Sequence, residues 1–233
     1  MSATAVAVPV PRVSAAGAGL LASTIGRKAV MAVTGFILFG FVLGHMVGNL
    51  QVYLGPEAMN HYAVFLRTML HGSGLWIART VLALSVGLHI WAATTLTLQS
   101  WRARPTAYRQ WEARDSTYAS RTMRWGGVIL FLFVAYHLQH FTFGNLHPDY
   151  VPGDVYHNFV AGFRQVPASV IYIVAMLALG LHLYHGGWSM LRTLGVSHPR
   201  YMRLAKAAAL LFALVVTAGN ISFPVAVLAG VVR

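Results

Sequence analysis

LFGFVLGHMVGNL, residues 38–50, sets His45 within a run that is otherwise apolar or glycine up to Asn49. A histidine in hydrocarbon costs free energy unless something uses it. The pattern recurs as VGLHIWAAT around His89, LFVAYHLQH around His137 and ALGLHLYHG around His182, at intervals of 44 to 48 residues. Each histidine therefore falls once per helix-and-connection unit. Helix bundles clamp cofactors with inward-facing side chains from facing helices, and four such histidines suit two metal-centred cofactors.

Composition agrees with a membrane setting. The chain has 233 residues, is 57% hydrophobic and only 9% charged, with a mean hydropathy of +0.62. Soluble domains carry roughly a quarter charged residues. At about 20 apolar residues per crossing, we expect spans over about 28–54, 75–99, 125–143, 167–191 and 204–231. The third is the least apolar, because it holds Tyr136, His137, Gln139 and His140. Pro56, Pro105, Pro148, Pro152 and Pro199 punctuate the connections. Residues 1–22 read as a flexible tail without a cleavable signal, and 23–233 as one membrane domain. The expected fold class is an all-α membrane protein, a five-transmembrane-helix bundle enclosing two b-type haems.

Thirteen of the 17 Lys and Arg residues fall in the N-terminal segment and the second and fourth connections. The positive-inside rule then puts the N-terminus in the cytoplasm and the C-terminus outside. The net charge of +12 belongs to these connections, so nucleic acid is not an expected partner. With no cysteine in the chain, a disulfide framework, an iron–sulfur cluster and covalent haem attachment are all excluded. No Asp or Glu lies in any expected span, which argues against a carboxylate proton relay through the bundle.

Depth sorts the histidines. At about 1.5 Å per residue, His45 and His137 fall beyond the middle of outward-running spans, and His89 and His182 beyond the middle of inward-running ones. The result is an outer pair, His45 with His137, and an inner pair, His89 with His182, roughly 10 Å apart in depth. Two axial imidazoles per iron favour electron transfer over oxygen binding. His140 and His185 are competing ligands three residues further on; both sit nearer the span ends. His61, His71, His147, His157 and His198 read as loop residues of the surface. Candidate haem-propionate partners are Arg27, Lys28, Arg121, Arg124 and Arg192 at the inner face, and Arg79 with Arg164 at the outer. Trp76, Trp91, Trp125 and Trp188 read as interfacial anchors. Gly40, Gly44 and Gly48 form a small-residue stripe that admits a close helix or a flat cofactor.

At these residues the chain resembles the cytochrome b membrane-anchor subunit of succinate dehydrogenase and fumarate reductase, in its bacterial, five-helix, dihaem form. The likeness is carried by GFVLGHMVGNLQVYLGPEAMNHYAVFLR around His45, GLHIWAATTL around His89, RTMRWGGVILFLFVAYHLQHFTFG around His137 and LGLHLYHGGWSMLRTLG around His182. The resemblance spans about residues 23–231. It implies two haems b, ligated by His45 with His137 and by His89 with His182. It also implies a flavoprotein that oxidises succinate, an iron–sulfur subunit on the cytoplasmic face, and membrane quinone, with menaquinone the expected species. Ser23 and Arg27 are similar to a short quinone-site motif of such anchors, although an N-cap serine and a topology arginine account for them equally well. Some dihaem members carry a glutamate just before the residue matching His182; here Leu179, Gly180 and Leu181 stand there.

The expected protein is thus a membrane anchor of respiratory complex II in the bacterial inner membrane, surrounded by lipid and compatible with a higher oligomer. Succinate chemistry would lie in the partner flavoprotein. Two other readings stay open: a dihaem cytochrome b of a formate dehydrogenase or hydrogenase, and a haem-free membrane transporter or anchor.

Overall fold

Apolar runs fold as helices here, and prolines mark where several of them begin. A computed structural model of the chain describes residues 19–103 and 118–233. Most of the expected N-terminal tail lies outside the described residues, as do Arg104, Pro105, Arg109, Glu112, Arg114 and Asp115 of the second connection. The α-helices among the described residues are α1 (Thr24–Asn49), α2 (Pro56–Thr68), α3 (Ser73–Arg102), α4 (Tyr118–His137), α5 (Val155–Arg164), α6 (Val166–Thr193) and α7 (Pro199–Leu228). No strand occurs among these residues. Pro56, Pro167 and Pro199 sit in the first turns of α2, α6 and α7, where a missing N–H costs no helical bond.

Four helical runs are long and apolar enough to cross a membrane: Thr24–Leu54, Pro56–Arg102, Val166–Thr193 and Pro199–Leu228. The chain is an all-α, multi-pass membrane protein. The expected third span corresponds to α4 and the π-turn Leu138–Thr142 that follows it. It is not among the four runs, because Tyr136, His137, Gln139 and His140 put polar groups into its second half. Many large apolar side chains point outward, including Phe36, Leu84, Leu132, Val174 and Leu211, as lipid-facing helices require.

α1 packs against α3 on one side and α6 on the other, and α4 packs against α6. At the opposite ends of α3 and α4, Arg124 Nη2 donates to Ser100 Oγ at 3.1 Å. α3 and α4 do not otherwise pack, so the four helices run α3–α1–α6–α4 as an open ring whose diagonals are α1–α4 and α3–α6. Neither diagonal pair packs closely. α7 lies outside the ring against α6, α1 and α5, and small residues set the approach. A Cβ on Gly187 would stand 3.0 Å from Ala209 Cβ and 3.0 Å from the Phe39 ring. Phe39 in turn stacks on Phe212 at 4.3 Å.

α2 and α5 are short helices that hydropathy does not announce, because neither is apolar enough to span. Both cover one end of the ring. Asp154 caps α5 by accepting from the His157 N–H at 3.0 Å, and it also accepts from Asn60 Nδ2 of α2 at 2.9 Å. Asn60 Oδ1 accepts from the Tyr156 N–H at 3.0 Å. Between α2 and α3 the chain turns through Leu70, His71 and Gly72 with φ of 53°, 55° and 86°, an arrangement rare for residues with a Cβ. The other end of the ring gathers Arg27, Lys28, Arg102, Arg121, Arg124, Arg192 and the first turn of α7.

Two outcomes are expected. Replacing Gly187 with Leu should push α7 off α6 and α1 at a cost of about 1–3 kcal/mol, read as a lowered thermal midpoint of the detergent-solubilised protein. Asp154 is held below the usual carboxylate range, first by the His157 N–H and then by the Asn60 amide. A depressed native pKa gives stability that is complete at neutral pH and lost as pH falls through that depressed value. The protection factor of amides at the start of α5, exchange taken relative to the intrinsic rate at each pH, should therefore fall in acid, and Asp154→Ala, losing a cap of about 1 kcal/mol, should show low protection at all pH values.

Candidate functional site

The ring's two diagonals each carry a pair of histidines. His45 of α1 and His137 of α4 approach with ring centroids 5.8 Å apart and planes nearly perpendicular at 88°. His89 of α3 and His182 of α6 approach to 6.2 Å at 58°. His45 stays open and the other three are half-buried. Each pair reaches across helices that do not otherwise pack together.

His137 is the last residue of α4, and the wide π-turn begins after it, marked by the Phe143 N–H bonding to Leu138 O at 2.9 Å. Such turns recur at functional sites. Here the turn lets His137 and His140, three residues apart, direct Nδ1 to one hydroxyl, that of Tyr172 on α6, at 3.0 and 3.1 Å. His140 is only 1% exposed. It is enclosed by Phe141 at 4.3 Å, His147 at 5.1 Å and the stacked Tyr136 at 5.4 Å. His137, not His140, meets the histidine of α1.

His89 is steadied from behind. Thr34 gives its proton to Val30 O at 2.7 Å and lies 3.2 Å from His89 Nδ1. The hydroxyl is thereby left to accept from Nδ1–H, with Nε2 of His89 free as an electron-pair donor. Gly35 lies against the same edge of the ring, where a Cβ would stand 3.5 Å from His89 Cε1, in ordinary contact. On α6, His182 Nδ1, His185 Nδ1 and Trp188 Nε1 are buried and lack a hydrogen-bond partner. Lys206 lies 5.0 Å over the Trp188 ring. Trp188 is therefore turned in toward α7 and is not a simple interfacial anchor. Trp76 and Trp125 do face outward, at 67% and 75% exposure.

The remaining candidates are dispersed. Ser23 caps α1 by accepting from the Gly26 N–H at 2.9 Å, and Arg27 Nε donates to Leu21 O at 3.1 Å. Arg79 lies over Trp76 at 5.3 Å and Arg124 over Trp101 at 5.5 Å. Lys28, Arg121, Arg164 and Arg192 are exposed. Gly48 of the small-residue stripe receives the Tyr62 ring, whereas Gly40 and Gly44 have open space beside them.

His147 departs from its reading as a surface residue. Its Nε2–H donates to Asn158 O at 2.7 Å and its Nδ1 accepts from the Asp149 N–H at 3.1 Å, so it ties the connection after α4 to α5. His61 lies on α2 and His157 on α5, and His157 pairs with Asp149 at 3.0 Å. Sequence reasoning also missed Thr34 and Tyr172. Their signal was faint: single hydroxyls in apolar helices, both now buried.

No curated protein and no solved structure matches the chain. The family model described as the succinate dehydrogenase/fumarate reductase transmembrane subunit matches residues 99–219. That stretch holds α4, α5, α6 and most of α7, with His137, His182 and Tyr172, and amounts to just over half of the 233 residues. Carrying these helices and the polar groups set between them, the chain belongs to the family of succinate dehydrogenase/fumarate reductase transmembrane subunits.

Proposed function

We propose that this chain is a cytochrome b anchor that passes electrons between an iron–sulfur subunit and membrane quinone through two bis-histidine haems b. The observation that carries this reading is the histidine geometry on the two diagonals. Metal–imidazole bonds of about 2 Å on both faces of one metal put the two ring centroids roughly 6 Å apart, and the pairs stand at 5.8 and 6.2 Å. Among the described residues no group of three or more His, Asp or Glu could hold a bare ion. Two-donor sites of this kind suit a macrocycle that brings its own equatorial nitrogens. Space beside Gly40 and Gly44 and the open diagonals are consistent with a flat cofactor between the helices.

In this reading His45 and His137 hold the outer haem iron, and His89 and His182 the inner. When bound, each haem supplies a one-electron relay whose potential is set by its ligands and surroundings. The protein's work is to orient imidazoles and to exclude water. Thr34 fixes the tautomer of His89. The partnerless donors Trp188 Nε1 and His185 Nδ1 lie toward the basic end of α6 and suit propionate oxygens, as do Arg27, Lys28, Arg121, Arg124 and Arg192. Arg79 is placed to serve the other end. Ser23 and Arg27 stand at the basic end as quinone-site candidates.

We further propose five spans, α4 with its π-turn being the fifth. The crowding of cations at one end supports a cytoplasmic N-terminus and an outside C-terminus, and the resemblance to bacterial dihaem anchors supports a bacterial inner membrane. The flavoprotein and iron–sulfur subunits would then dock at that basic end, with succinate chemistry in the flavoprotein and menaquinone as the expected lipid partner.

A dithionite-reduced minus oxidised spectrum of the purified complex should count two b haems per polypeptide. His89→Ala or His182→Ala should remove the inner haem and leave the outer, while His45→Ala or His137→Ala should do the reverse. Absence of any cytochrome band would reject the proposal. Co-purified flavin with succinate activity separates complex II from a formate dehydrogenase or hydrogenase partner.

A further inference from the structure

The Tyr172 hydroxyl has two imidazole neighbours and a single proton to give. It lies 3.0 Å from His137 Nδ1 and 3.1 Å from His140 Nδ1, and the residue is 6% exposed. Phe133 and Phe163 pack edge-on against its ring, each at 4.9 Å, so the phenol is held in one position. Both contacts are satisfied without a stranded proton only if the three groups form a directed chain. One histidine donates to the phenol oxygen, and the phenol donates to the other. Run from His140 toward His137, the chain would put the His137 ring proton on Nε2 and block that atom as a metal ligand. Run from His137 toward His140, it leaves His137 Nε2 with a bare electron pair.

We propose that Tyr172 is the positioning residue of the outer centre: its hydroxyl accepts from His137 Nδ1–H, leaving His137 Nε2 for iron, and donates to His140 Nδ1. The inference rests on the haem reading above and goes beyond it in assigning work to Tyr172 and His140, neither of which would touch iron. It also explains why a second histidine lies one helical turn from a ligand yet is sealed in aromatic packing. His140 is the acceptor that gives the phenol its direction. It then carries its own ring proton on Nε2. An acceptor behind a ligating imidazole makes that imidazole a stronger donor to the metal. Tyr172 should therefore favour the oxidised state of the outer haem and leave the inner haem, backed by Thr34, untouched.

The test is Tyr172→Phe in the assembled complex, which keeps the ring and removes the hydroxyl. Both haems should remain, and potentiometric titration should show the outer haem's midpoint moved upward with the inner unchanged. The outer haem's ferric EPR signal should shift, and its transfer to an apo-haem acceptor should quicken about 10–100-fold. Thr34→Val should move the inner haem alone. If Tyr172→Phe does not assemble, His140→Leu is read the same way, with a smaller upward shift confined to the outer haem. Unchanged potential, EPR signal and transfer rate at the outer haem, or equal shifts of both haems, would overturn the assignment of Tyr172. Absence of haem from the unsubstituted complex would instead overturn the cytochrome reading itself.

Discussion

Everything in this bundle depends on two diagonals that are not allowed to close. α1 is held to α3 and α6, and α4 to α6, yet α1 does not seal against α4 nor α3 against α6. Apolar helices in lipid have no hydrophobic reason to stay apart, since tails and side chains are equally apolar; packing and polar contacts decide the spacing. The histidine rings that cross each diagonal are the visible spacers. The contacts that keep the ring from collapsing lie at its ends and on its outer side: α2 and α5 at one end, the Arg124–Ser100 bond at the other, and α7 wedged against α6 through Gly187 and Ala209. The ring packs along α1–α3, α1–α6 and α4–α6 and is buttressed from outside by α7, while the histidines stand across its open diagonals.

The polar groups behind the histidines follow a common logic with different parts. His89 is backed by a threonine whose proton is committed to its own helix, so it can only accept. His137 is backed by a phenol on a neighbouring helix. The first device is local and needs no tertiary structure beyond α1 meeting α3. The second needs α4, its π-turn and α6 together. The imidazole nearest the Asp154–Asn60 cap thus depends on more of the fold than the imidazole nearest the cationic end.

Much of this was legible in the chain. Helix-length apolar runs announced an all-α membrane bundle, and depth along the helices anticipated that the His45 ring stands near His137 and the His89 ring near His182, because hydropathy and position along a helix survive folding unchanged. α2 and α5 were not legible: each is a short amphipathic helix, stabilised by Gly55, Pro56 and Asp154 at its start and by docking, not by its own hydropathy. α4 stayed ambiguous because Tyr136, His137, Gln139 and His140 lower its apolar character. The roles of Thr34 and Tyr172 could not be read at all, since a lone hydroxyl in an apolar helix gives no sign of which ring it will meet. His147 was misjudged for a similar reason: its partners, the Asn158 carbonyl and the Asp149 amide, are backbone groups that no sequence pattern reveals.

The union of α4 with α6 through one phenol also bears on how the chain enters the bilayer. Tyr172 follows His140 by 32 residues and His137 by 35. At a synthesis rate of about 5–20 residues per second, the polar end of α4 emerges on the order of seconds before the hydroxyl that satisfies it. Alone in lipid, that end would carry two unpaired imidazoles. Co-translational insertion therefore favours α4 waiting at the translocon or interface until α6 arrives, and the two partitioning as a hairpin. The order of the genetic text, as well as the contacts of the finished fold, sets the sequence in which this membrane protein can be built.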